Sequence, residues 1–206
     1  MVPTDVDYLW FEQRFPDLAE AYCVTLVGNE TSAGLLDRFG VGGDRVDRVG
    51  VGELVDPSYA VWDAHQGDVQ LIAATSVGQW ALAVEVNGYL GVTEELFAGL
   101  SAGSRLVSHF RNVNAADRFC LVDDGQLVVD FEPLFAWHRS GSHPDLYAEL
   151  MRTVGMRMGQ DDDLGEPGAA AFALAEAITG VRLTAELFER SAFTCGLARL
   201  PRRTRR

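Results

Sequence analysis

Between Val69 and Phe135 the chain alternates side chains with a period of two over several short runs, and this constrains its fold more than any other feature. Such a period sends successive side chains to opposite faces of a strand. Val69-Gln70-Leu71-Ile72-Ala73-Ala74-Thr75 reads as one strand, and Gly78 marks the turn after it. Trp80 to Val86 reads as the next, with Trp80, Leu82, Val84 and Val86 on one face. Asn87-Gly88 is a turn signal. Thr93-Glu94-Glu95 opens a short helix that runs to about residue 101, with Gly103 closing it. Residues 105–113 form a further strand. Phe119 to Val122 and Leu127 to Phe131 flank Asp123-Asp124-Gly125-Gln126, the strongest hairpin signal in the chain. The spacing predicts that Trp80, Leu82, Val84, Leu127, Val129 and Phe131 share one core.

The flanks are more mixed. Residues 6–14 read as a short amphipathic helix stopped by Pro16, and Ala21 to Val27 as a strand rich in β-branched and aromatic residues. Thr31 is placed to cap a helix over 32–39 that Gly40 ends. Residues 40–68 read as irregular, with Asp56-Pro57-Ser58-Tyr59 as a turn. Helices are expected over 144–154, 169–178 and 185–190, the last capped by Thr184, and 160–167 reads as an acidic connector. The expectation is an α+β fold: a mainly antiparallel sheet of about five strands, flanking helices and a helical C-terminal part. One domain is expected over 1–200, with 201–206 a disordered basic tail.

All seventeen cationic side chains are arginine, and there is no lysine. That removes a P-loop, kinase chemistry with a strand-borne Lys, a Ser-Lys nucleophile pair and a Schiff-base amine. The net charge is −13, and four of the arginines (Arg202, Arg203, Arg205 and Arg206) belong to the tail. The remaining thirteen arginines face thirty acids, a balance of −17. Such a body repels phosphate backbones, so no nucleic acid is expected on it; the acidic surplus reads either as solubility or as a decoy surface for a basic protein partner. Cys23, Cys120 and Cys195 are scattered, odd in number and set among apolar residues, which reads as buried thiols of a reduced cytoplasm. No secretory signal and no membrane-spanning run are expected.

Catalytic motifs do not stand out. His65, His109, His138 and His143 lack a second ligand at helical spacing, so neither a metal nor a cofactor is expected. Gly141-Ser142-His143 has no supporting strand-turn-helix. The candidate site is His109-Phe110-Arg111-Asn112-Val113-Asn114-Ala115-Ala116-Asp117-Arg118. Alternation places His109, Arg111 and Val113 on one face, and Asn114 and Asp117 shape the turn into a strand that begins at Arg118. Two arginine forks near one sheet end can hold a carboxylate or phosphate, with His109, Asn112 and Asn114 beside them. Glu85 and Asn87, ending the Trp80 strand, approach the same edge if the strands are neighbours. The alternative reading of the arginines is a salt-bridge network with asparagines closing turns.

Trp10, Tyr22 to Val27, Gly78 to Gly88, Leu100 to Gly103, Arg111 to Ala115 with Arg118-Phe119, and Leu174 to Val181 together resemble an uncharacterised actinobacterial family, a domain of unknown function. The resemblance covers most of residues 8–190 and implies no activity and no inherited catalytic residue. The absence of a catalytic constellation and the acidic body point to a non-catalytic protein-interaction module, and the resemblance to small actinobacterial domains suggests, by analogy, an immunity-like or defence-accessory factor in bacterial conflict. The alternative is a small-molecule or anion-binding domain, or a weak enzyme, centred on Arg111 and Arg118. Pocket shape separates the two: a closed site with convergent Arg and Asn favours a ligand, and an acidic face favours a partner protein.

Overall fold

A computed structural model describes residues 2–163 and 165–201. The basic tail, apart from Pro201, lies outside them. Nine strands form one sheet: β1 (Tyr22–Gly28), β2 (Gly42–Val49), β3 (Val69–Val77), β4 (Trp80–Val86), β5 (Arg105–Arg111), β6 (Asp117–Asp123), β7 (Gln126–Phe131), β8 (Arg139–Ser140) and β9 (Ala192–Arg199). Their order is β2-β9-β3-β4-β1-β5-β6-β7-β8, and every neighbouring pair is antiparallel.

The sheet is therefore larger than the five strands expected, and the last described element is a strand, β9, in place of the helical C-terminal part expected. β9 is the first reason. It follows the last helix and inserts between β2 and β3, with Val69 opposite Arg199 and Ala74 opposite Thr194. Its pairing partners lie far away in sequence, and Gly196 interrupts its apolar residues. A Cβ on Gly196 would fall 2.2 Å from Val41 Cγ1, so the close approach of Val41 demands glycine there. β2 is the second reason. Gly42-Gly43-Asp44-Arg45-Val46-Asp47-Arg48-Val49 has no half-buried alternation because both its faces are largely open to solvent. The Asp56-Pro57 segment likewise departs from a turn. It opens α4 (Val55–Ala64), where proline is tolerated in the first helical turn.

Helices cover both faces. On one lie α1 (Trp10–Arg14), α2 (Pro16–Ala19), α4, α6 (Ala148–Thr153), α7 (Pro167–Thr179) and α8 (Ala185–Arg190). The other carries α3 (Ser32–Arg38), α5 (Glu94–Leu100) and a 3-10 turn over Leu90–Val92. Hydroxyl caps start two of them: Thr31 Oγ1 accepts from Gly34 N at 3.0 Å, and Thr184 Oγ1 from Leu187 N at 3.1 Å. Gly180, in the left-handed region at φ 72°, ends α7. None of the described helices is long and apolar enough to cross a membrane.

The two faces make two cores. Tyr22, Val24, Leu26, Leu82, Val84, Val107, Phe119, Leu121, Val129 and Phe131 pack under α7 and the N-terminal helices. Cys23, Val27, Ile72, Ala81, Ala83, Leu106, Cys120 and Val122 pack under α3 and α5. All seven residues of β1 are buried, as a strand covered on both sides must be. Of the six residues assigned to one core, Leu82, Val84, Val129 and Phe131 share it and Trp80 packs half-buried against it. Leu127 joins the opposite core, because the β6–β7 register shifts between Leu121 and Val122. The hairpin at Asp124-Gly125 turns with both residues at positive φ, 46° and 81°.

Candidate functional site

Strand alternation splits the candidate residues between the two faces. In the β5–β6 ladder Arg111 lies opposite Asp117, and Phe110 opposite Arg118. Directly opposed residues share a face, so Arg111 and Arg118 emerge on opposite sides of the sheet. Glu85 and Asn87 are not on a strand next to β5 either, since β1 runs between β4 and β5.

On the face under α7, His109 is 2% exposed and stands edge-on to both Tyr22 and Phe172, with ring centroids 5.2 and 5.0 Å away. Tyr22 Oη lies 3.3 Å from His109 Nδ1. Burial, and then the positive charge of Arg111, lower the His109 pKa to about 3, so the imidazole is neutral. Arg111 Nη1 donates to Glu12 Oε1 at 3.5 Å, and its Nε is 3.8 Å from Asp117 Oδ1, within ion-pair range but beyond hydrogen-bond reach. Burial raises the Asp117 pKa to about 6, against the opposing pull of Arg111. That carboxylate oxygen is buried with no hydrogen-bond partner among the described residues.

Arg111 and Asn112 open onto a cleft of about 520 Å³ between the N-terminal helices and the β5–β6 turn. Glu12, Pro16, Ala19, Glu20, Val113 and Ala115 complete its lining. Glu12, Glu20 and Val113 are exposed. Asn112 is tied to the turn: its Oδ1 accepts from Asn114 N at 2.9 Å and from Ala116 N at 3.1 Å. Asn114 contributes its backbone there. The cleft thus holds one guanidinium, already facing Glu12 and Asp117, between two exposed carboxylates.

The opposite face is sealed. Glu85 is fully buried, and its carboxylate accepts from Leu90 N and Gly91 N, each at 2.9 Å. Burial raises its pKa to about 7, while those two N–H groups pull it back down. Beside it Thr25 Oγ1 and Ser108 Oγ are 2.8 Å apart, and Cys23 Sγ is 3.3 Å from Ser108 Oγ. Burial pushes the Cys23 thiol well above its ordinary pKa, which holds it in the protonated form. Gly91 lies directly on this group: a Cβ there would sit 1.9 Å from Thr25 Oγ1. Gln70 Nε2 donates to Val86 O at 2.9 Å. Asn87 serves through its backbone, at φ 52°, with its N–H donating to Ala21 O.

Arg118 is fully engaged on that same face. Its Nε and Nη2 donate to the two Asp130 oxygens at 2.7 and 3.1 Å, Nη2 also to Glu94 at 2.8 Å, and Nη1 to Val92 O at 2.9 Å. It has the contacts of a structural clamp joining β6, β7 and the start of α5. Reasoning from the sequence singled out Arg111, Asn112, Asn114, Arg118, Glu85, Asn87 and His109. It passed over Tyr22, Glu12 and Glu20, which join Arg111 only because β1 pairs with β5 and the N-terminal helices cross that end of the sheet. Among the described residues no group of three or more His, Cys, Asp or Glu could hold a metal ion.

A family model described as a family of unknown function, DUF6461, matches residues 1–202. No curated protein and no solved structure shows significant similarity.

Proposed function

The chain belongs to DUF6461, a family of unknown function, and from its site we propose that it is a non-catalytic interaction module whose cleft receives a basic segment of a partner protein. The observation that carries this reading is the charge state of the cleft. The one cation that lines it among the described residues, Arg111, already faces Glu12 and Asp117, while Glu12 and Glu20 remain exposed on the rim. A guanidinium or ammonium entering from a partner meets Glu20 and shares Glu12 with Arg111, with exposed Val113 and Pro16 supplying apolar contact. The acidic balance of the whole chain attracts the same partner from a distance.

Burial supports the non-catalytic part. The two groupings with chemical potential, Cys23-Thr25-Ser108-Glu85 and Tyr22-His109, are both closed to solvent. An acidic cleft that mimics charged surfaces bound by basic proteins would suit an immunity-like or defence-accessory role in bacterial conflict, which we propose by analogy. Three free, buried cysteines accord with a cytoplasmic setting. The second reading, a small anionic ligand held by Arg111, has one observation in its favour: Arg111 and Asn112 line the same cleft.

The test is capture of partners from the native host with three baits. Glu12→Gln/Glu20→Gln removes two charges from the cleft, and Asp161→Asn/Asp163→Asn removes two from the acidic connector. The proposal expects a basic protein on the wild-type and connector baits, released by salt and missing from the cleft bait. Equal capture by all three baits contradicts it. Saturable protection of the wild-type protein by phosphate or a small carboxylate, lost in Arg111→Lys, would favour the second reading.

A further inference from the structure

The outer edge of β2 carries no strand partner among the described residues. Gly50 N donates to Ser191 O, toward β9, and Val49 N instead reaches Glu53 Oε2. In an antiparallel ladder the backbone groups of successive residues point alternately to either side. Along the regular stretch Val46–Val49, Val49 and Asp47 therefore aim their N–H and C=O outward, away from β9; the register shift between Gly42 and Val46 ends where this stretch begins. Val46 and Val49 are 56% and 58% exposed, among the most exposed apolar side chains of the described residues. An edge strand of this length is a template for another strand.

Charge order says which strand fits. The run is Asp44-Arg45-Val46-Asp47-Arg48. Read against a reversed copy of itself about Val46, the order sets Arg45 against Asp47 in both directions and, continued through the irregular stretch before Val46, Asp44 against Arg48. Outward-facing residues must oppose outward-facing residues, which allows only registers centred on a residue. Centring on Arg45, Asp47 or Arg48 sets identical charges face to face. Centring on Val46 leaves every charged pair complementary and stacks one exposed valine on the other. Side-chain directions agree: Asp47 accepts from Thr194 Oγ1 at 2.9 Å, and Arg45 pairs with Asp37 of α3, so both project to the α3 side. Opposed residues in such a pair must share a face.

We propose that the protein self-associates through β2, pairing it antiparallel with β2 of a second copy, with Val46 on the two-fold axis. The contact is isologous and closes, so it yields a dimer with one continuous sheet and leaves no filament. It involves a single strand from each copy, which puts it among small interfaces and makes the dimer concentration-dependent. Charged residues on an edge also serve as guards against pairing. A guard needs charge but no particular order, and order is what separates the two roles.

Sedimentation of the full chain across concentrations up to on the order of 100 µM tests the proposal. Wild type is expected to shift from monomer to dimer. Asp47→Arg sets a second guanidinium opposite Arg45, and Arg45→Asp a second carboxylate opposite Asp47. Each single variant should weaken the dimer at least about tenfold. An equimolar mixture of the two restores complementarity in both pairs and should dimerise again. Circular dichroism checks that the variants are folded; if either is not, Asp47→Asn and Arg45→Gln replace them, with a smaller weakening expected. Wild type that stays monomeric overturns the proposal. So do single variants that dimerise like wild type, or folded charge-reversed variants whose mixture stays monomeric.

Discussion

The two faces of the sheet centre carry similar side chains to opposite ends. Under α3 and α5, Glu85, Cys23, Thr25 and Ser108 are closed over by the 90–92 turn, and the carboxylate meets two backbone donors. Under α7, His109 and Tyr22 are equally buried, but the polar track continues outward through Arg111 to an open cleft. One face ends in a turn that a buried carboxylate holds in place, and the other in carboxylates that face water. Adjacent residues on one strand, Ser108 and His109, belong to these different worlds. Polar composition alone therefore says little about function here; the element lying on top decides it.

The sharpest way to break this contrast is Glu85→Ala. It leaves Leu90 N and Gly91 N buried without acceptors, at about 1–3 kcal/mol for each N–H, so a loss of about 4 kcal/mol is expected in urea melting. A loss below about 1 kcal/mol would mean that the turn opens to water.

The two buried groups Glu85 and His109 should also titrate in opposite directions. Glu85 has a folded pKa of about 7, above its unfolded value, so its contribution is full at low pH and is lost as pH rises through that range. The span from 4.5 to 7 corresponds to about 3 kcal/mol. His109, lowered to about 3, behaves in reverse: its contribution is full above pH 6.5 and is lost as pH falls toward 3. Asp117, raised to about 6, adds to the Glu85 direction. Stability followed from pH 3 to 8 should lose the larger part of its falling component in Glu85→Gln, leaving the part due to Asp117, and its rising component in His109→Gln. Matching profiles in the two variants would erase the distinction between the two groups.

Smaller effects sharpen it. Arg118→Lys keeps the charge but loses the fork that holds both Asp130 oxygens, and should cost about 1–2 kcal/mol while leaving partner capture intact. Tyr22→Phe removes the hydroxyl beside His109 and should cost about 1 kcal/mol. Glu12→Gln, at an exposed ion pair, should change stability by about 0–1 kcal/mol.

Legibility in the sequence followed the same physics. The central strands, the Asp124-Gly125 hairpin and the Thr31 and Thr184 caps were readable because each depends on residues close in sequence. β2 and β9 were not, since one is an exposed edge without alternation and the other acquires its strand character from partners more than a hundred residues away. The candidate site was readable as a segment but not as a constellation. Arg111 and Arg118 look adjacent across a turn, yet the pairing of Arg111 with Asp117 and of Phe110 with Arg118 sends them apart. Glu12 and Glu20 entered the cleft only through the packing of the N-terminal helices, which no local pattern announces.

The central claim is that the cleft, and not the acidic surface at large, receives a basic chain. Titrating a short arginine-rich peptide into isotope-labelled protein, and following backbone amide shifts, tests it directly. The account predicts the largest shifts at Glu12, Glu20, Asn112 and Val113, with none at Leu90, Gly91 or Arg118, and their disappearance in Glu12→Gln/Glu20→Gln. Shifts spread evenly over the acidic surface, or unchanged in that variant, would contradict it.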